Sequence, residues 1–170
     1  MSKNELKLST DSKIDWLQKS ITRTDSYLNS ANTKSTIMLT FSMALSTAIC
    51  VNSTDIIKCG FAYQLTIATS IFLLLISSIY SLLAIRPFLT PSEKTNLLSF
   101  VDIADKYNSA NEYENRINTA TDSEMICEMS SLNYNLSKGL IKKYKLQKKS
   151  VDLIILSLIT MAITLFFYTN

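Results

Sequence analysis

Residues 60–85 read GFAYQLTIATSIFLLLISSIYSLLAI, 26 residues without a charged side chain. The centre, Ile71-Phe72-Leu73-Leu74-Leu75-Ile76, is continuously apolar, and Phe61 and Tyr63 stand at one end as interfacial aromatics do. About 20 helical residues cross the roughly 30 Å hydrocarbon core, where every backbone group must be satisfied within the helix. The stretch reads as a transmembrane helix, with a buried helix of a soluble core as the alternative.

Two further charge-free runs flank it. Residues 153–170 carry Leu153-Ile154-Ile155-Leu156 and end in Phe166, Phe167 and Tyr168, again an apolar centre with an aromatic rim. Residues 35–54 are weaker, because eight of the 20 are Ser or Thr. A signal peptide does not fit that run: 34 residues precede it and no small-x-small cleavage site follows it cleanly. Composition agrees with this layout. Only 2 Gly and 2 Pro occur in 170 residues, against roughly 12 and 8 at average usage, which argues against turn-rich sandwiches and barrels. The expected fold class is an all-α membrane protein: three transmembrane helices with a helical cytoplasmic stalk or sensor region.

Lys and Arg set the expected orientation. Six lie in residues 1–34, one (Lys58) in 55–59 and ten in 86–149. The positive-inside rule places the N-terminus and residues 86–149 in the cytoplasm, and the 55–59 turn and the C-terminus outside. The expected order is thus a cytoplasmic amphipathic helix (1–34), spans at 35–54, 60–85 and 151–169, an outward turn at 55–59, and a cytoplasmic sensor at 86–149. Cys50 and Cys59 then lie near the outer surface, where a disulfide is conceivable, and Cys127 lies in a reducing compartment.

In the cytoplasmic parts, Ile14, Leu17, Ile21 and Leu28 recur at helical spacing. Three capping boxes follow, Thr90-Pro91-Ser92-Glu93, Ser109-Ala110-Asn111-Glu112 and Thr121-Asp122-Ser123-Glu124. After the third, Met125, Met129, Leu132, Leu136, Leu140 and Tyr144 keep one stripe, which predicts a single helix over 122–168, roughly 70 Å long, with Gly139 as the place for a bend. This stripe and that of the N-terminal helix are expected to pack as a stalk. Leu97, Leu98, Phe100, Val101 and Ile103 form an apolar patch, helix or strand, expected to cover it.

The chemistry-bearing residues are few. Histidine is absent and no CxxC occurs, which excludes imidazole triads and CxxC-type zinc or redox centres. No P-loop, GxGxxG or paired carboxylates appear; Glu112 and Glu114 fall on different helix faces. The chain is expected to be neither an enzyme nor a holder of metal or cofactor. Six lysines, Lys138, Lys142, Lys143, Lys145, Lys148 and Lys149, precede the third span. They read better as topology signals and anionic-lipid contacts than as a nucleic-acid site, for no aromatic-interleaved groove accompanies them.

At about 100° per residue, Ser35, Thr36, Thr40, Ser42, Ser46, Thr47, Ser53 and Thr54 share one side of the first span. Ile37, Met38, Phe41, Ala44, Leu45, Ala48, Ile49 and Val51 occupy the other. The hydroxyl face packs against the other spans, meets copies of itself in an oligomer, or borders a wet path. Lys34, Arg86, Lys94, Tyr107, Asn111, Tyr113, Arg116 and Tyr144 supply cations, aromatic faces and an amide that could hold an anionic nucleotide, although each is individually an ordinary surface residue.

Several short strings resemble the transmembrane effectors of bacterial Pycsar antiphage systems, the PycTM-like family, from about Tyr27 onward. They are Ala31-Asn32-Thr33-Lys34-Ser35 before the first span, Leu83-Ala84-Ile85-Arg86-Pro87 closing the second and Lys143-Tyr144-Lys145-Leu146 before the third. Asn32 departs from that family's Ala-Asp-Thr-Lys pattern by lacking the charge. The resemblance implies pairing with a nucleotide cyclase, a cyclic pyrimidine mononucleotide ligand (cCMP or cUMP), a homo-oligomer in the bacterial inner membrane and damage that stops growth of the infected cell. The alternatives are a constitutive scaffold and a transporter subunit; the latter needs an intramembrane charge, and only Asp152 at an edge offers one.

Overall fold

The computed structural model describes residues 9–53, 60–87 and 96–169. It is all-α: α1 (Thr10–Asn52), α2 (Phe61–Ile85), α3 (Phe100–Lys106), α4 (Ala110–Asn118) and α5 (Asp122–Thr169), with no strand among the described residues. Three of these helices, α1, α2 and α5, are long and apolar enough to cross a membrane. The N-terminal amphipathic segment and the first apolar run are one unbroken helix, and α5 continues through Gly139.

The chain forms two compact units. The first comprises Met1–Leu28 and Pro87–Leu140, the second Asn29–Arg86 and Ile141–Asn170. Each of α1 and α5 contributes its N-terminal part to the first and its C-terminal part to the second.

The second unit is a three-helix bundle. Contacts pair Asn32 with Lys143 and Ser35 with Gln147, so α1 and α5 run parallel; Ser42 with Ser78, and Ser70 and Ser77 with Thr160 and Ser150, make α2 antiparallel to both. Its buried positions step by fours and threes: Ser42, Ser46, Ile49 and Ser53 on α1, Ile67, Ser70, Leu74, Ser77, Ser81 and Ala84 on α2, Lys143, Gln147, Ser150, Ile154 and Ser157 on α5. That is the 3.5-residue repeat of knobs-into-holes packing. Ile49, Ile67, Leu74 and Ile154 form the apolar cluster. Large side chains such as Phe72, Leu75, Ile79, Ile155, Ile159 and Phe166 point outward. Small residues inside and bulky apolar ones outside are the arrangement of helices packed in lipid.

α2 opens at Gly60, whose φ of 137° is a conformation that side-chain-bearing residues rarely adopt. It closes at Arg86, where Pro87 cannot continue a helix.

In the first unit, Leu17 and Met129 are buried, as the two stripes require. Asn133 of α5 donates to Ser20 Oγ (2.9 Å) and accepts from Thr24 Oγ1 (3.2 Å) of α1. Of the expected capping boxes, the Thr121 one is complete and the Ser109 one is half-formed, its Glu112 carboxylate accepting the Asn108 N–H (3.1 Å) instead of the Ser109 N–H. Ser109 accepts the Glu112 N–H (3.2 Å), Thr121 accepts the Glu124 N–H (3.3 Å), and Glu124 returns the bond to the Thr121 N–H (2.9 Å). The Thr90 box lies outside the described residues, as do the 55–59 turn and Cys59, and with it any bridge to Cys50. The 97–103 patch is a turn leading into α3, and it covers less than expected: Leu97 is buried but Phe100 is 71% exposed. The buried side chain of α3 is Asp102, whose carboxylate accepts the Asn96 N–H.

Candidate functional site

In the second unit the spans are joined by hydroxyl bonds. Ser42 and Ser78 meet at 2.8 Å, Ser70 and Thr160 at 2.7 Å, and Ser150 lies 2.8 Å from Ser77 and 2.9 Å from Ser81. Ser157 donates to the Ser70 carbonyl. Such interhelical bonds average about 0.6 kcal/mol each in lipid, up to about 1.7.

The eight hydroxyls of α1 therefore divide. Ser35, Ser42, Ser46 and Ser53 are buried against the other spans. Thr36, Thr40 and Thr47 are exposed and donate to carbonyls one turn back, those of Asn32, Thr36 and Met43; Thr54 lies outside the described residues. At about 100° per residue the serines and the threonines already form two rows, roughly 120° apart around α1, and the serine row is the buried one. Ile49, which that projection puts on the apolar side next to the serine row, packs in the apolar core.

At one end of this bundle Lys143 is 4% exposed. Its ammonium donates to Asn32 Oδ1 (2.9 Å) on α1 and to the carbonyls that end α2, Ala84, Ile85 (3.4 Å) and Arg86 (3.3 Å). Helix-terminal carbonyls lack intrahelical donors and carry the negative end of the helix dipole, so a cation is favoured there. One turn on, Gln147 donates to the Ala31 carbonyl and to Ser35 Oγ (2.8 Å). Lys143 is thus not the surface lysine that its tract suggested, and Tyr144, expected on the packing stripe, is 38% exposed beside it. The alternating 143, 147, 150, 154, 157 spacing is the sequence signal that identifies these two polar seam residues.

In the first unit, the Tyr107 and Tyr113 rings are 5.2 Å apart, and the Tyr113 hydroxyl donates to the Leu97 carbonyl (2.8 Å). Arg116 pairs with Glu124 (3.3 Å). The Glu124 carboxyl is held below its ordinary pKa, first by the Thr121 N–H and then by Arg116. Asn96 donates to the Glu128 carbonyl and Glu128 accepts the Leu97 N–H, fixing the start of α3 to α5. A mostly apolar groove of about 360 Å³ is lined by Lys13, Trp16, Leu17, Ile126 and Ser130. Trp16, the sole tryptophan, is 63% exposed there and was not singled out by the sequence pattern. No group of residues suited to a metal ion occurs among the described residues.

The family model of the Pycsar effector protein domain, PycTM, matches residues 16–170. The chain belongs to this family. It is an effector of antiphage defence and not the cyclase, and the Pycsar context implies a partner cyclase and cyclic nucleotide signalling. No curated protein and no solved structure matches the effector.

The effector's eight nucleotide-site candidates divide between the units. Tyr107, Asn111, Tyr113 and Arg116 belong to the first; Lys34, Arg86 and Tyr144 belong to the second. Lys94 lies outside the described residues. Asn111, Lys34 and Arg86 are exposed.

Proposed function

We propose that the effector sits in the bacterial inner membrane and responds to a cyclic pyrimidine mononucleotide, cCMP or cUMP, by rearranging or oligomerising its spans. Membrane integrity is then lost and the infected cell arrests or dies. The observation that carries this reading is the way the spans are joined: small hydroxyl bonds inside, each individually weak and each replaceable by a hydroxyl from another copy. Thr36, Thr40 and Thr47 form the surface offered to that copy, with Ser35, Ser42, Ser46 and Ser53 joining when the bundle opens.

The ligand end is the helical unit to which α1 and α5 run without a break. Tyr107 and Tyr113 provide faces for a pyrimidine, Asn111 an amide for its edge and Arg116 a cation for the cyclic phosphate. Lys34, Arg86, Lys94 and Tyr144 are the further cations and aromatic face of the cytoplasmic surface. The nucleotide must favour the damaging arrangement; moving 1:99 to 99:1 takes about 5.5 kcal/mol of differential binding, which copies of the effector share when they act together.

The test is a potential-sensitive dye in cells that express the effector and receive cCMP or cUMP. Depolarisation is expected with one of the two, and Thr40→Leu with Thr47→Leu is expected to suppress it. A scaffold would be indifferent to both manipulations. If neither nucleotide changes the signal while the effector is in the membrane fraction, this reading is wrong.

A further inference from the structure

The hydroxyl seam leaves the alignment of the spans under-determined. Serines recur at intervals of four and seven along it, Ser35, Ser42 and Ser46 on α1, Ser70, Ser77 and Ser81 on α2, Ser150 and Ser157 on α5. A helix that slides by one or two turns therefore brings hydroxyls opposite hydroxyls again. The Lys143 acceptors have no such repeat, because α2 ends once, at Ile85. One ammonium reaches α1 through Asn32 and α2 through the Ala84, Ile85 and Arg86 carbonyls, so it joins all three helices at a single level. A polar residue at one seam position, with partners at one alignment only, is the best attested way in which helical bundles fix register.

We propose that Lys143, with Asn32 and the terminal carbonyls of α2, is a clasp that sets the resting register of the spans, and that its release is the step by which the spans rearrange. Lys143 is a positioning residue here, acting through the helices it joins. Gln147 supports it by holding α5 to α1 at Ala31 and Ser35. In the released arrangement the hydroxyl seam re-forms at another alignment or with another copy, a discrete shift of the kind that packed helices undergo. The clasp deepens the membrane-impairing reading above and rests on it.

Two variants test it in opposite directions. Lys143→Met keeps the apolar stem and removes the donors; Asn32→Asp sets a carboxylate against the ammonium. In cells without any cyclase, Lys143→Met at wild-type membrane levels is expected to depolarise the membrane and stop growth. Asn32→Asp is expected to raise the nucleotide concentration for half response on the order of tenfold, and to raise the unfolding temperature of the ligand-free effector in detergent. A Lys143→Met effector that reaches the membrane and stays silent without nucleotide overturns the clasp. If that variant does not accumulate, Asn32→Asp decides, an unchanged threshold or an unchanged unfolding temperature counting against it. Should the wild type ignore both nucleotides, the pyrimidine reading fails, and the clasp is still judged by the ligand-free Lys143→Met cells and the Asn32→Asp unfolding temperature.

Discussion

Ser35 and Thr36 are adjacent and face different surroundings. Ser35 is fully buried and accepts from Gln147, while Thr36 is exposed and donates its hydroxyl to the Asn32 carbonyl. Either hydroxyl is satisfied, which a hydrocarbon environment demands. The cost of enlarging them differs. Ser150→Leu forces a larger side chain between Ser77 and Ser81 and is expected to destabilise the bundle by about 1–3 kcal/mol; Thr47→Leu, on the outer surface, is expected to change stability by less than about 0.5 kcal/mol. Thermal unfolding in detergent separates the two. The sequence makes both rows visible, roughly 120° apart around the helix, but which of them faces the other spans is set by partners on α2 and α5 that lie far away in the chain. Lys143 stands out from the six lysines of its tract only when the 143, 147, 150, 154, 157 spacing is followed back from the span, and its partners at Asn32 and Ala84 are what that spacing leads to.

The short helices of the first unit begin where local chemistry says they should. The Ser109 and Thr121 boxes were legible because the donor and acceptor lie within four residues. α3 was missed as a capped helix because Ser99 is followed by Asp102, not the Glu or Gln of the expected pattern, yet Ser99 accepts the Asp102 N–H. Loss of the cap in Thr121→Ala is expected to cost about 1 kcal/mol, read by thermal unfolding. A pH dependence accompanies it. The folded effector holds the Glu124 carboxyl below its ordinary pKa, so the stability this group confers is complete above the unfolded value, about 4.3, and is lost as pH falls through the lowered folded value. Stability measured across acid pH is expected to fall less steeply in Glu124→Gln than in the wild type.

For the molecule as a whole, charge-free runs made the helical class and the number of spanning helices legible, because burial of an unpaired backbone in lipid allows little else. The ligand residues were less legible, since solvated cations and tyrosines carry no periodic signature. Tyr107 and Tyr113 are brought together, but Lys34, Arg86 and Tyr144 belong to the other unit. The lysine distribution also makes a prediction about sidedness: an alkaline phosphatase fusion after residue 170 is expected to be active, and one after residue 120 inactive. The opposite pattern would discard the cytoplasmic placement of residues 86–149.

The hydroxyl bonding within the bundle has an electrical consequence. In each serine or threonine pair either oxygen can donate, so the O–H dipoles reverse by rotation alone. Across the described parts of the spans Asp152 is the one side chain charged at neutral pH, and it lies at an edge. An applied field does about 2.3 kcal/mol of work per 100 mV only on a charge carried through the bilayer. The spans thus offer such a field little to pull on, and their resting arrangement is expected to hold across the potentials that a cell maintains.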